Sequence, residues 1–241
     1  MKSDLPKVLF PALGRPMIHW VLDALEQSGV SRILVVVGYR HEEVRKELAG
    51  RKNIEFVLQE QLLGTGHAVQ MCIPNLTEVS AGPPSESGDN DPVLILAGDS
   101  PLVQPSSLRG LLDTFHQQQY ACLLGTLLKD DPKGLGRIVR DAQGHFVRIV
   151  EQKDATPEEA LIREVNMSTY VFTRHKLLSA LSKLTNKNAQ SEYYLTDCPE
   201  ILMRAGERVE AVAILQPCES LSINTIDELE IVENKIGRAH V

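Results

Sequence analysis

The stretch VLILAGDSPL, residues 93–102, decides the fold. Val93 to Ala97 form a continuous apolar run with no polar alternation, closed by Gly98 and Pro101. A short run of that kind is a strand covered on both faces. Asp99 then stands at the carboxyl edge of the strand, where open α/β sheets place their ligands. The same grammar recurs upstream. Met17, Ile18, Trp20, Val21, Leu22, Ala24 and Leu25 predict an amphipathic helix ending at Gly29, and Ile33 to Val37 a strand closed by Gly38. A helix over 41–48, a strand over 54–57 and a helix over 66–71 follow. Strands separated by helices imply an α/β fold: a Rossmann-like, mostly parallel mixed sheet with helices on both faces. NLTEVSAGPPSESGDNDP (75–92) reads as a floppy surface insertion, because the α/β rhythm resumes after it. From Ala121 shorter strands, near 122–128, 137–140, 146–151 and 165–172, are linked by Gly- and Pro-containing turns and predict an antiparallel second half.

With 241 residues, 43% of them hydrophobic and 24% charged, the chain can bury a sizeable core. The net charge of −7, with Lys and Arg scattered, argues against nucleic acid or an anionic membrane as partner. It leaves room for a small anionic ligand. Cys72, Cys122, Cys198 and Cys218 lack metal-ligand spacing and read as isolated buried thiols of a reducing, cytoplasmic setting. No apolar run reaches the roughly 18 residues of a membrane span.

Several strings carry chemistry. Asp99 has two readings, a hard-oxygen ligand for Mg²⁺ shared with substrate phosphates, or a turn-forming or helix-capping Asp before Ser100-Pro101. In LGTGHAV (63–69), two glycines at a helix start allow close approach of a base or phosphate to free N–H groups, or simply a tight turn. Glu151 and Asn166 pair an acceptor with an amide, as sugar hydroxyls need. Tyr194 and Thr196, two apart, would share one face of a strand. His67 and His145 have no partner at ligand spacing and are read as structural.

Taken in order, SDLPKVL (3–9), LGTGHA (63–68), GDSPL (98–102), DDPKGLGRI (130–138), VEQKDAT (150–156), EVN (164–166), LTNKNAQSEYYLTD (184–197) and SIN (222–224) are similar to one family. The chain resembles the uridylyltransferase domain of bacterial N-acetylglucosamine-1-phosphate uridylyltransferases, within the sugar-nucleotidyltransferase group. The resemblance runs from about Ser3 to Glu233. It implies that Lys7 contacts nucleotide phosphate and that Gln59, Gly64 and Thr65 line the uracil pocket. It further implies that Asp99 and Asn224 hold Mg²⁺, and that Gly136, Glu151, Asn166, Tyr194 and Thr196 surround the sugar.

The implied reaction joins UTP and N-acetylglucosamine-1-phosphate, with release of pyrophosphate. It needs no strong general base, since a phosphate monoester, with a second pKa of about 6, is already largely ionised at pH 7. Alignment and charge neutralisation are what the protein must supply. A non-catalytic sugar-nucleotide binding module, or transfer with another sugar phosphate or nucleotide, is the alternative. A binder has no need of both metal ligands.

Three departures from the family pattern stand out. Leu62 takes the place of a second glutamine, and Asn166-Met167-Ser168 stands where many members read Asn-Thr-Gly. The family also begins with a strand and a Leu-x-x-Gly-x-Gly-Thr-Arg-Met loop, of which Met1 matches only the last residue. The expectation is a nucleotidyltransferase domain over 1–233 that lacks its phosphate loop, with impaired stability and catalysis. IGRAHV (236–241) is expected to break the preceding helical pattern, making 234–241 a non-native tail. The family's full-length form continues into an acetyltransferase domain through which it would form homo-oligomers.

Overall fold

A computed structural model of the chain describes residues 5–78, 90–221, 223 and 226–239. After a 3-10 turn at Lys7–Leu9 come strands β1 (Pro11–Ala12) and β2 (Arg15–Pro16), helix α1 (Met17–Gln27), β3 (Ile33–Val37), α2 (His41–Glu47) and β4 (Ile54–Leu58). Helices α3 (Thr65–Gln70) and α4 (Ile73–Glu78), β5 (Pro92–Ile95), α5 (Pro105–Gln118), β6 (Cys122–Leu128), β7 (Arg137–Arg140) and β8 (Phe146–Val150) follow. The chain ends with β9 (Glu164–Thr173), α6 (Arg174–Leu181), α7 (Cys198–Arg204), β10 (Val209–Val212) and α8 (Ile226–Ala239). These elements fall into two compact units, Met1–Leu58 with Ala97–Gly110 and Leu215–Val241, and Gln59–Leu96 with Leu111–Ile214.

In the first unit β3 and β4 pair in parallel from Ile33↔Ile54 to Val37↔Leu58. Helix α1 buries Met17, Ile18, Val21, Leu22, Ala24 and Leu25, the three- and four-residue spacing of a helix with one apolar face. It stops where Gly29 adopts φ +92°. Ala12, Met17, Leu102, Ile223, Val232 and Ile236 form one buried cluster. The expected break at 236 does not occur. Helix α8 runs on to Ala239, because Ile236 falls four residues after Val232 on the same face and is only 3% exposed.

The second unit holds a mixed sheet in the order β10-β6-β9-β7-β8, with β5 also paired to β9. Among the described residues only β6 and β10 run parallel in it, and the remaining pairs are antiparallel. Strand β9 is long enough to pair with β6 along one edge and with β7 and β5 in succession along the other. Strand β5 is half-buried rather than buried, its Pro92 being exposed. Between Gly125 and Thr126 the register against β9 shifts, looping out Met167 and Ser168 as a bulge.

The insertion read at 75–92 begins as helix: Pro74 sits in the first turn of α4, where its missing N–H costs nothing, and Thr77 bonds back to Ile73 O at 2.7 Å. Residues 79–89 of it lie outside those described. The cysteines are free thiols, buried at Cys72, Cys122 and Cys198 but only partly so at Cys218. No described helix is long and apolar enough to cross a membrane.

Candidate functional site

In the first unit the chain brings Lys7 and Asp99, 92 residues apart, to 2.7 Å between Nζ and Oδ2. Their side chains are 40% and 33% exposed, so the pair stands at the surface and can open to a ligand. Asp99 is not a helix cap. The next helix starts at Pro105, and the buried carboxylate of Glu219 meets its start instead, accepting from Gln104 N at 3.0 Å and Ser107 Oγ at 2.7 Å. The turn bond after Asp99 is Val103 N to Ser100 O. Asn224, expected beside Asp99, lies outside the described residues. Among the described residues no cluster of three His, Cys, Asp or Glu side chains could hold a metal.

In the second unit the expected sugar residues converge through sheet register. Arg137 is paired with Val150 on one side and Val165 on the other. One position along, Gly136 therefore faces Glu151 and Asn166 across three strands, and Asn166 N donates to Gly136 O at 2.9 Å. A Cβ at Gly136 would meet Ile149 Cγ2 at 3.1 Å and Asn166 Cβ at 3.5 Å, so glycine keeps this rung tight. Thr196 Oγ1 donates to Glu151 Oε1 at 2.9 Å. Burial pushes the Glu151 carboxyl above its ordinary range; the Thr196 bond opposes this, and the charge of Asp154 adds to it.

The strand expected for Tyr194 and Thr196 does not form. Leu195–Asp197 is a 3-10 turn with Tyr194 extended before it, because the backbone groups here pair with the 63–66 turn rather than with a sheet. Thr196 nevertheless reaches Glu151.

Gln59, Gly64 and Thr65 also gather, but around the protein's own backbone. Gln59 is 8% exposed, and its Nε2 donates to Gly64 O at 3.1 Å and to His67 Nδ1 at 2.9 Å. Gly64 O can only accept, which orients the amide and leaves the proton of neutral His67 on Nε2. The N–H groups expected to be free at this helix start are partly spent: Gly66 N donates to Tyr193 O at 2.7 Å. Tyr193 N donates to Leu63 O at 2.8 Å and Leu195 N to Thr65 Oγ1 at 3.2 Å. Gly64, at φ +103°, leaves 2.6 Å between an added Cβ and Tyr193 O, so its glycine serves this close backbone approach. Leu62, at the departed glutamine position, is 63% exposed. His145 pairs with Asp141 at 3.1 Å beside a β-turn, the structural role expected of it.

Sequence reasoning did not single out Tyr170, Lys153, Asp154, Gln190 or Asp197, which pack around these residues. Asn166 Nδ2 donates to the phenol of buried Tyr170 at 2.7 Å. Asp154 accepts from Ala189 N at 3.2 Å, and Lys153 donates to Gln190, so the 150–156 and 189–197 strings are zipped together. Burial, then the charges of Glu200, Glu151 and Asp154, push the Asp197 carboxyl up to about 6. The even spacing of Asn166 and Tyr170 was the available signal for Tyr170.

Residues 1–194 match the MobA-like NTP transferase domain family. The chain is 40% identical over 233 residues to the bifunctional protein GlmU of Geobacter metallireducens, covering 97% of this chain and 46% of that protein. It is 44% identical to GlmU of Paraburkholderia phymatum, covering 97% and 48%. The chain thus spans about half the length of the curated relatives it matches. A solved UDP-glucose pyrophosphorylase complexed with UDP-glucose is 16% identical with a TM-score of 0.71, over 98% of this chain and 91% of that one, which shows a shared fold. The resemblance carried by the sequence motifs is borne out, and the chain belongs to the MobA-like NTP transferase family.

Proposed function

We propose that the chain acts as a uridylyltransferase, joining UTP to N-acetylglucosamine-1-phosphate to give UDP-N-acetylglucosamine and pyrophosphate over residues 1–233. The observation that carries the reading is the rung of Gly136, Glu151 and Asn166, with Thr196 on Glu151. It assembles an acceptor, an amide and a glycine floor from four separate segments, as a sugar with hydroxyls and an acetamide requires. The GlmU relatives and the nucleotide-sugar neighbour support a sugar-phosphate and nucleotide substrate pair.

In this reading an oxygen of the sugar phosphate attacks the α-phosphorus of UTP, and the β-phosphate oxygen leaves with pyrophosphate. Lys7 exchanges Asp99 for a phosphate oxygen and neutralises charge there. The Asp99 carboxylate so released is a hard, solvent-accessible oxygen donor of the kind that would hold Mg²⁺. Asn224 would be the second protein donor. When bound, Mg²⁺ supplies Lewis-acid stabilisation of the phosphoryl oxygens. Glu151 and Asn166 orient the sugar, and the 63–66 turn with Gln59 holds the uracil. The test is pyrophosphate release from UTP and N-acetylglucosamine-1-phosphate, with and without Mg²⁺. It is run on this chain and on the chain extended by the family's glycine-rich loop segment. Turnover in either supports the reading. Absence of turnover in both, with UDP-N-acetylglucosamine still bound, replaces it with a binding module.

A further inference from the structure

We infer that Arg137 is a positioning residue for the sugar subsite, acting through Gln152 from beneath the rung of Gly136, Glu151 and Asn166; this rests on the function proposed above. Its side chain is among the largest fully buried, at 1% exposure. Among the described residues every acceptor it meets is neutral. The Nη1 group donates to Leu135 O, Nε and Nη2 to Ala160 O at 3.4 Å, and Nη2 to Gln152 Oε1 at 2.8 Å. A guanidinium buried without a carboxylate is costly, and packing alone would be better served by an apolar side chain. The position is explained by what the group ties together.

Arg137 follows Gly136 in the chain, and Gln152 follows Glu151. Side chains alternate across a strand, so the guanidinium lies on the reverse face of the rung. Gln152 Oε1 also accepts from Gly134 N at 3.0 Å, so one amide oxygen joins the loop before Gly136 to the loop after Glu151. Ala160 O fixes the far end of that second loop. A single planar fork spans these directions, which the point charge of a lysine cannot do. Glu151 is thereby held from behind by Gln152 and Arg137 and in front by Thr196.

The test uses the whole chain with Arg137→Lys, Gln152→Ala and the double variant, read by steady-state kinetics and by calorimetric titration with UDP-N-acetylglucosamine. Each single variant raises the KM for the sugar phosphate about tenfold, the worth of roughly one hydrogen bond, while the KM for UTP stays within about twofold. The double variant is no worse than Arg137→Lys alone. An unmoved sugar-phosphate KM in Gln152→Ala, or a parallel rise in both KM values, overturns the inference. If the parent chain neither turns over nor binds UDP-N-acetylglucosamine, the function above fails, and hydrogen exchange decides on the clamp itself. Amide protection across 151–161 must fall in Gln152→Ala, and equal protection refutes the clamp.

Discussion

Gly64→Ala separates steric necessity from mere turn preference. Gly64 adopts φ +103° and ψ 175°, a region almost confined to glycine, and forcing an L-residue into it costs about 1–3 kcal/mol. The new Cβ would also stand 2.6 Å from Tyr193 O, 2.9 Å from Glu192 Cβ and 3.0 Å from Tyr193 N. Backbone must then move, stretching the bonds from Tyr193 N to Leu63 O and from Gly66 N to Tyr193 O. Losing them costs about 0.5–1.5 kcal/mol each. The sum is roughly 2–6 kcal/mol, measurable by urea unfolding monitored by circular dichroism. Gly134→Ala is the internal control. Its φ is +84°, yet an added Cβ meets nothing within 4 Å, so only the conformational cost of about 1–2 kcal/mol applies. If Gly64→Ala is no more destabilising than Gly134→Ala, the close approach to Tyr193 is not what this glycine is for.

Three other outcomes follow. Lys7→Met leaves the urea midpoint nearly unchanged, since a half-exposed pair contributes at most about 1 kcal/mol, while kcat/KM falls about 100-fold; a parallel loss of both would assign Lys7 to folding instead. Ser168→Gly, at φ +50° in the bulge of β9, raises stability by about 1 kcal/mol in the same urea assay, and an unchanged midpoint would argue against strain there. Asp197 binds its proton more tightly folded, at about 6, than its ordinary value of 3.8, so between these values the native state carries more protons than the unfolded one. Stability therefore falls as pH rises through that window, and thermal melts should show the slope diminished in Asp197→Asn. A slope of the opposite sign in the difference between parent and variant would contradict the half-buried, acid-crowded setting of this carboxyl.

Much of the local structure was legible because it depends on neighbours in sequence. Apolar spacing marked α1, a β-branched run marked β3, and β6 and β7 were read to their first and last residues. Helix α4 was hidden because Pro74 and Asn75 suggest a loop by composition, although proline is at home in a first helical turn. The helix break expected at 236 was misjudged for the corresponding reason: Gly237 weakens a helix locally, whereas Ile236 gains burial against Met17 and Val232 that no local rule counts. Thr196 illustrates the opposite case, a residue chosen for a strand geometry that is absent, yet bonded to Glu151 all the same.

The sequence by itself determined the α/β class, the family and the identity of the polar residues that gather in each unit, since periodicity and motif are properties of short segments. Only the tertiary structure decided how those segments meet. Register across β8, β7 and β9 places Gly136, Glu151 and Asn166 on one rung, and a slip of one residue would turn those side chains to the other face. The antiparallel partnership of β5 with β9, the closure of Lys7 onto Asp99 and the burial of Arg137 among neutral acceptors are likewise long-range outcomes. Each is set by which surfaces the whole chain can bury and which hydrogen bonds it can complete at once, and no segment carries that information alone.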